Sequence, residues 1–481
     1  MVRQSTKGSG KRRPHKGSNK GSNKSQNKRK SNSKKSAPKP AFSASLKLHD
    51  LGAKGDAIAI HETQTVHIPF GAPGDQALVR VIGERGRIED LIEPSANRVE
   101  PVCRHFGDCG GCALQHISPE FTREWKLKQI RDALSREGIS CLDGIGVDFE
   151  SEEGVGYAFI PSPDISRNSR RRASFSVSRE NGDYKIGFKA RGTHRIVPLQ
   201  ECHILHPDLF KLYHNLSDFV DCIPDHIETF LIQINMCDGV FDLNLIGDLE
   251  AHDVSAENFE AIASKMRENP IARFSINGDI LISLIDPVVN FDGIEVAVPP
   301  GAFLQASVAG QKALLEGVTD ILGNANLGKT AKIADLFCGC GAFALPLSRH
   351  YRVYGADNHE EAIANLNKAY RRFSSQMLRV LDAQARDLFR QPLFPDELND
   401  FDAIIFDPPR AGAPAQAKQM ANSNVPLIIG VSCNPKTFAT DARLLAKGGY
   451  TLTQVQLVDQ FAYSPHIELI GKFERLDNLE V

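Results

Sequence analysis

The sequence predicts an α/β protein: a C-terminal doubly wound, Rossmann-like parallel sheet, preceded by a small OB-like β-barrel and a central α+β region. Three observations carry this prediction. From Ala331 onward, short apolar runs alternate with helical segments, the pattern of a parallel sheet built from strand–helix units. The run Ile333 to Phe337 passes directly into Cys338-Gly339-Cys340-Gly341, a strand turning through glycines into a helix, where a ligand can meet backbone that a Cβ would shield. Near the N-terminus, Thr65 to Phe70 and Ala77 to Ile82 alternate in strand fashion around Gly71-Ala72-Pro73-Gly74, which suggests a small barrel of a kind that often carries RNA.

Size and composition suit this division. With 481 residues, 41% of them apolar, the chain has material for two to four domains of about 150 residues. No apolar run approaches the roughly 18 residues of a membrane span, and the basic N-terminus lacks the apolar segment of a secretory signal. Residence in the cytoplasm is expected. Thiols stay reduced there, so the ten cysteines suit metal ligation or nucleophilic catalysis better than a disulfide framework.

The net charge of −2 conceals an asymmetry. Residues 1–40 hold 14 Lys and Arg and no acid, so the remainder carries a net −16. Rich in Lys, Asn, Ser and Gly, this tail has too little apolar surface to fold. Such an arm binds polyanions through counterion release, with RNA as the expected partner and a merely solubilising tail as the alternative.

Cys103, Cys109 and Cys112 form a C-x5-C-x2-C run with glycines that let the loop wrap an inorganic core. A fourth thiolate would close a cubane, and Cys202 is the best candidate. Four thiolates also suit zinc, whose usual pattern is two paired knuckles where this chain has one pair. The spacing favours [4Fe–4S], with zinc and unligated cysteines as alternatives. Between these ligands, Trp125 to Leu134 reads as a helix. Arg170-Arg171-Arg172 and Lys185 to Arg195 form a basic cluster that suits phosphate contact, or else a solvated strand face.

In the C-terminal third, Val353 to Ala356 reads as the second strand. It ends at Asp357, placed to accept hydrogen bonds from ribose hydroxyls. Helical spacing runs from Glu361 to Phe373, and Asp387 follows a third strand where it would border an adenine. Phe401 to Phe406 is a buried strand leading into Asp407-Pro408-Pro409-Arg410, whose prolines stiffen the loop. Asp/Asn-Pro-Pro segments of this kind point to methyl transfer without naming the acceptor atom. Cys433, after the strand Leu427 to Val431, names it. An amino nitrogen needs no covalent help, whereas pyrimidine C5 becomes nucleophilic once a thiolate has added to C6. The resulting adduct must lose its C5 proton, and Glu468 is the carboxylate available as base.

These segments resemble the uracil-C5 RNA methyltransferase family, and the cysteine set is similar to that of its bacterial 23S ribosomal RNA branch. The resemblance implies S-adenosyl-L-methionine and a [4Fe–4S] cluster as cofactors, Cys433 as nucleophile and Glu468 as base. It further implies a hydrogen-bonding role for Asp407 and a cofactor pocket lined by Gln305, Phe337, Gly339, Gly341, Asp357 and Asp387. The domains it implies are a basic tail over 1–43, a TRAM-like barrel over 44–102 and an Fe–S loop with a central RNA-binding region over 103–300. Within that region 113–147 is expected to be helical and to pack on the catalytic domain, which spans 301–481. The substrate would be 23S ribosomal RNA, with no membrane and no obligate protein partner. A transfer-RNA uracil methyltransferase and a non-catalytic RNA-binding Fe–S protein are the competing readings. The first is opposed by the cysteine set, the second by the intact trio Cys433, Glu468 and Asp407.

Overall fold

A computed structural model describes residues 41–139, 157–160, 167–180, 183–328, 330–376 and 379–475. The basic tail 1–40, and the portion 140–147 of the expected helical segment, lie outside the described residues.

The N-terminal region is a six-stranded sheet in the order Ala41–Lys47, Gln76–Ile82, Arg85–Glu93, Gln64–Ile68, Ala57–His61, Asp50–Leu51. Alternation decides which face is inside. In Gln76–Ile82, Ala77, Val79 and Val81 are buried while Arg80 and Ile82 point outward, as period-two side chains must. The first strand already includes residues 41–43, expected from the sequence to belong to the tail. Their strand is fixed by pairing with Gln76–Ile82, from Ala41 opposite Ile82 to Lys47 opposite Gln76.

The helix Pro119–Arg136 follows, capped by Ser118, whose side chain accepts from Phe121 N as an N-cap should. It serves two cores. Trp125 packs with the barrel residues and donates from Nε1 to Leu51 O at 3.0 Å, while Leu127, Ile130, Ala133 and Leu134 join the core of the C-terminal sheet. Lys126, fully buried, pairs with Asp459 Oδ1 at 2.6 Å and donates to Phe461 O at 3.1 Å.

The central region is a seven-stranded sheet ordered Ile196–Val197, Asp183–Lys189, Arg172–Glu180, Thr229–Cys237, Val240–Gly247, Ile271–Ile276, Asp279–Ser283. Helices Pro207–Tyr213, Leu216–Val220 and Ala256–Glu268 contribute Leu209, Phe219, Ile262 and Met266 to its core.

The C-terminal sheet has eight strands in the order Leu381–Ala385, Arg352–Asp357, Lys332–Leu336, Ala403–Phe406, Leu427–Ser432, Leu469–Arg475, Tyr450–Val458, Tyr157–Ile160. The first five run parallel, and Leu469–Arg475 is inserted antiparallel to both its neighbours. Strand order reverses beside Lys332–Leu336, the crevice where open α/β sheets bind ligands. Two elements that precede residue 301 also join this sheet or its core. The strand Tyr157–Ile160 pairs in parallel with Tyr450–Val458, and the hairpin Val288–Phe291 with Ile294–Ala297 buries Val289, Phe291, Ile294 and Val296 in this sheet's core. Hydrogen bonding ties the strand, and burial the hairpin, to the C-terminal sheet, although both lie earlier in the chain. Among the described residues no helix is long and apolar enough to cross a membrane.

Candidate active site

The turn after Lys332–Leu336 takes conformations that ordinary side chains avoid. Phe337 has φ 65°, Gly339 52° and Gly341 90°; the phenylalanine, lacking a glycine's freedom, marks a strained position. Phe337 N and Cys338 N both donate to Ala356 O, at 2.8 and 3.2 Å, tying the turn to the second strand. That strand ends at Asp357, which accepts from Gly339 N through Oδ2 at 3.0 Å and from His359 N through Oδ1 at 2.9 Å. A carboxylate has room for about four such bonds, so capacity remains for hydroxyl donors. A Cβ built on Gly339 would meet nothing within 4 Å, whereas on Gly341 it would meet Leu366 at 2.8 Å. The first glycine faces open space; the second admits the helix behind it.

Asp387 shapes the neighbouring loop by accepting from Phe389 N and Arg390 N at 3.0 and 3.3 Å. This brings the ring of Phe389 to 5.4 Å from that of Phe337. Beneath the turn, buried Asp335 accepts from Ala344 N at 2.9 Å, its Oδ1 has no hydrogen-bond partner among the described residues, and burial holds its carboxyl well above the usual range. An acid at a strand tip, a glycine turn open on one side and two aromatic rings fit an adenosyl group.

Asp407, Arg410, Cys433 and Glu468 meet at the ends of three neighbouring strands. Glu468 is 3% exposed. Burial raises its pKa, the charge of Asp407 adds to that, and Gln460, Arg410 and Arg172 oppose it; Asp407 is itself raised by burial. Like charges so placed do not ionise independently. Cys433 is pushed up by burial, then by Glu468 and Asp407, and pulled down by the charge and hydrogen bond of Arg410. Its position just before the helix Pro435–Lys447 adds the positive end of a helix dipole, which favours thiolate.

That helix holds the opposite loop in place. Asn434 caps it by accepting from Lys436 N at 3.2 Å while its Nδ2 donates to Arg410 O at 3.1 Å. Thr437 Oγ1 donates to the same carbonyl at 3.3 Å, and Asp441 Oδ2 accepts from Ala413 N at 2.8 Å. Arg410 in turn donates from Nη2 to His466 Nδ1 at 2.7 Å. Burial and the cations Arg410, Arg170 and Lys126 press the pKa of His466 down to about 4, so it remains a neutral acceptor.

Gln305 enters by a route the sequence did not reveal. Gln460 Nε2 donates to Gln305 Oε1 at 2.9 Å and to Glu468 Oε2 at 3.0 Å. The arginine triplet also differs from expectation. Arg171 is buried, bonded to Gln305 O at 3.0 Å and Gln311 Oε1 at 2.6 Å. Arg172 donates to Leu304 O at 2.8 Å and lies 4.3 Å from the centre of the exposed Phe303 ring. Arg171 and Arg172 face inward because the carbonyls of Gln305 and Leu304 and the side-chain oxygen of Gln311 accept from them; they do not form a solvated strand face.

The other four predicted ligands gather elsewhere. Cys103, Cys109, Cys112 and Cys202 line one cavity together with Phe106, Phe188 and Ile204. A Cβ on Gly110 would come within 2.5 Å of Lys189 O, to which Gly110 N donates at 2.9 Å, so glycine lets this loop close against the central sheet. Burial raises all four thiols, Cys112 to about 12, and for Cys103, Cys109 and Cys112 charges on other cysteines of the set add to the rise. Among the described residues no group of three or more His, Cys, Asp or Glu is arranged to hold a single metal ion. Arg170 stands beside Cys112 and Cys202.

Comparison with known proteins gives the chain its relatives. Residues 289–473 match the family model described as tRNA (Uracil-5-)-methyltransferase. An uncharacterized RNA methyltransferase of Agrobacterium fabrum is 35% identical over 437 residues, 90% of this chain and 99% of that protein. The 23S rRNA (uracil(1939)-C(5))-methyltransferase RlmD of Acinetobacter baylyi is 28% identical over 86% of this chain and 90% of its own length. Among solved structures, the Pyrococcus abyssi tRNA (uracil-54, C5)-methyltransferase in complex with S-adenosyl-L-homocysteine shares the fold with a TM-score of 0.64, at 22% identity, over 90% of this chain and 99% of its own.

Proposed function

The chain belongs to the RNA (uracil-5-)-methyltransferase family, and we propose that it methylates C5 of a uridine in 23S ribosomal RNA through a covalent adduct on Cys433. The observation that carries this reading is the convergence of Cys433, Asp407, Glu468 and Arg410 at the carboxyl edge of the sheet, beside the glycine turn after Lys332–Leu336. Ribosomal RNA is favoured as substrate by the similarity to the 23S rRNA enzyme over nine-tenths of that protein's length.

In this reading Gln305, Phe337, Gly339, Gly341, Asp357 and Asp387 hold S-adenosylmethionine, which supplies a methyl group on a sulfonium. The target base must leave its stack to reach the pocket. The Cys433 thiolate adds to C6, forming the carbon–sulfur bond and moving the C5–C6 electron pair onto C5 and O4. C5 takes the methyl group as the sulfonium carbon–sulfur bond breaks. Asp407 hydrogen-bonds the base and holds it in position. Glu468 then takes the C5 proton, the double bond reforms, and the Cys433 thiolate leaves. Arg410 favours the thiolate at both ends of the cycle.

Cys103, Cys109, Cys112 and Cys202 would hold a [4Fe–4S] cluster. A cavity lined by these four cysteines supports it, and the single C-x2-C pair speaks against the paired knuckles usual for zinc. Its chemistry is that of an iron–sulfur centre; here it would pin the loop 103–112 to the turn at Cys202.

The test uses 5-tritiated uridine in ribosomal and transfer RNA. Wild-type protein should release tritium from ribosomal RNA, with 5-methyluridine appearing there. Cys433→Ala should form neither product nor adduct, a loss of many orders of magnitude. Glu468→Gln should accumulate a methylated protein–RNA complex that survives denaturing electrophoresis. Release from transfer RNA alone would refute the ribosomal substrate, and normal turnover by Glu468→Gln would refute the assigned base.

A further inference from the structure

We propose that Gln460 is a positioning residue for methyl transfer, one amide nitrogen orienting the base Glu468 and the cofactor-side Gln305 together. This rests on the uracil-C5 reading above. Both hydrogens of Nε2 are committed, one to Glu468 Oε2 at 3.0 Å and one to Gln305 Oε1 at 2.9 Å. Gln460 is 4% exposed and Glu468 3%, so water does not compete for either bond. The orientation of the amide follows from its partners. Turning it over would set its oxygen against two other oxygens, whereas Oε1 as placed has no hydrogen-bond partner among the described residues.

The surroundings are built around this side chain. Gln460 N donates to Val458 O at 3.1 Å, and Val458 N donates to Glu468 O at 2.8 Å, so the two residues share one strand end. A single buried ammonium, Lys126 Nζ, holds the residues on either side, Asp459 at 2.6 Å and the carbonyl of Phe461 at 3.1 Å. On the helix Val308–Asn324, Gly310 supplies the space. A Cβ there would lie 2.5 Å from Gln460 Oε1 and 2.8 Å from its Cβ. Glycine inside a helix is disfavoured relative to alanine, and room for Gln460 accounts for it.

The chemistry gives the link its purpose. Glu468 must be a carboxylate to take the C5 proton, and an N–H donor stabilises that charged form. The charged groups facing Glu468 are Asp407 and the Cys433 thiolate, which disfavour ionisation, and Arg410 and Arg172, which favour it. Gln460 adds a neutral donor fixed in direction, and the same nitrogen sets the pose of Gln305. Base and cofactor pocket are thus held at a constant separation.

Gln460→Met keeps the length and removes the donor. With full-length protein and uridine-containing ribosomal RNA, three quantities are read: the denaturation-resistant complex at steady state, the pH midpoint of its breakdown, and KM for S-adenosylmethionine against kcat. The variant should accumulate the complex several-fold over wild type and raise KM. Loss of a bond to the charged form raises the pKa of Glu468, so the breakdown midpoint should move to higher pH, by about one pH unit. Gly310→Ala, which leaves Gln460 intact but crowds it, should move all three in the same direction and stands as the second variant if Gln460→Met does not fold. A folded Gln460→Met with wild-type midpoint, complex and KM overturns the inference. If wild-type protein itself forms no complex and releases no tritium, the methyl-transfer reading falls instead.

Discussion

At Cys433 two tendencies oppose each other. Burial and the carboxylates Glu468 and Asp407 hold the thiol protonated, while Arg410 and the helix end favour the thiolate. Arg410 is therefore the residue whose removal should be read most clearly. Arg410→Gln raises the pKa of Cys433, and addition to C6 requires the thiolate, so the pH profile of adduct formation should move to higher pH. At any pH below the midpoint, the rate should fall about tenfold for every pH unit by which the profile moves. Single-turnover adduct formation between about pH 6 and 9 checks it, a range that brackets ordinary thiol ionisation; an unmoved profile would remove Arg410 from this role. His466, neutral beside Arg410, receives its hydrogen bond and adds no competing charge.

Among the elements, the helix Pro435–Lys447 does most to shape the site. Asn434, Thr437 and Asp441, spaced along one face, all bond to the loop 410–413. Gly412 makes the fit possible: its φ is 74°, and a Cβ would lie 2.9 Å from both Thr437 Cβ and Asp441 Oδ2. Gly412→Ala should destabilise the protein by about 1–2 kcal/mol. The loss of turnover should be larger than that figure implies, because the loop also carries Arg410; thermal melting and single-turnover rates separate the two effects. The strands that end in chemistry were legible in the sequence, since Ile333, Ile404, Ile405 and Ile429 form buried runs and the glycines and prolines after them have few other uses. Gln460 was not legible. It sits eight residues before Glu468, in no motif, and its partners come together only when a strand end closes over the helix Val308–Asn324. The burial of Arg171 was equally hidden, because a run of three arginines looks the same whether it meets water or backbone carbonyls.

For the whole molecule, the cysteine cavity joins the loop 103–112 to the turn at Cys202 across the central sheet. If a cluster fills it, anaerobically prepared protein should contain about four irons and absorb broadly near roughly 400 nm. Iron removal should lower the melting temperature by several degrees, since a guest held only by the folded state stabilises it. Stoichiometric zinc without iron would exclude the cluster. The strand Tyr157–Ile160 matters in a different way. It closes the catalytic sheet against Tyr450–Val458, yet about 300 residues separate the two in the order of translation. At about 5–20 residues per second a ribosome needs on the order of 15–60 s to cover that distance. For that interval the nascent chain carries a strand with nowhere to dock. A fragment beginning at residue 301 would show the converse fault, an unpaired edge at Tyr450–Val458 offered to neighbouring chains.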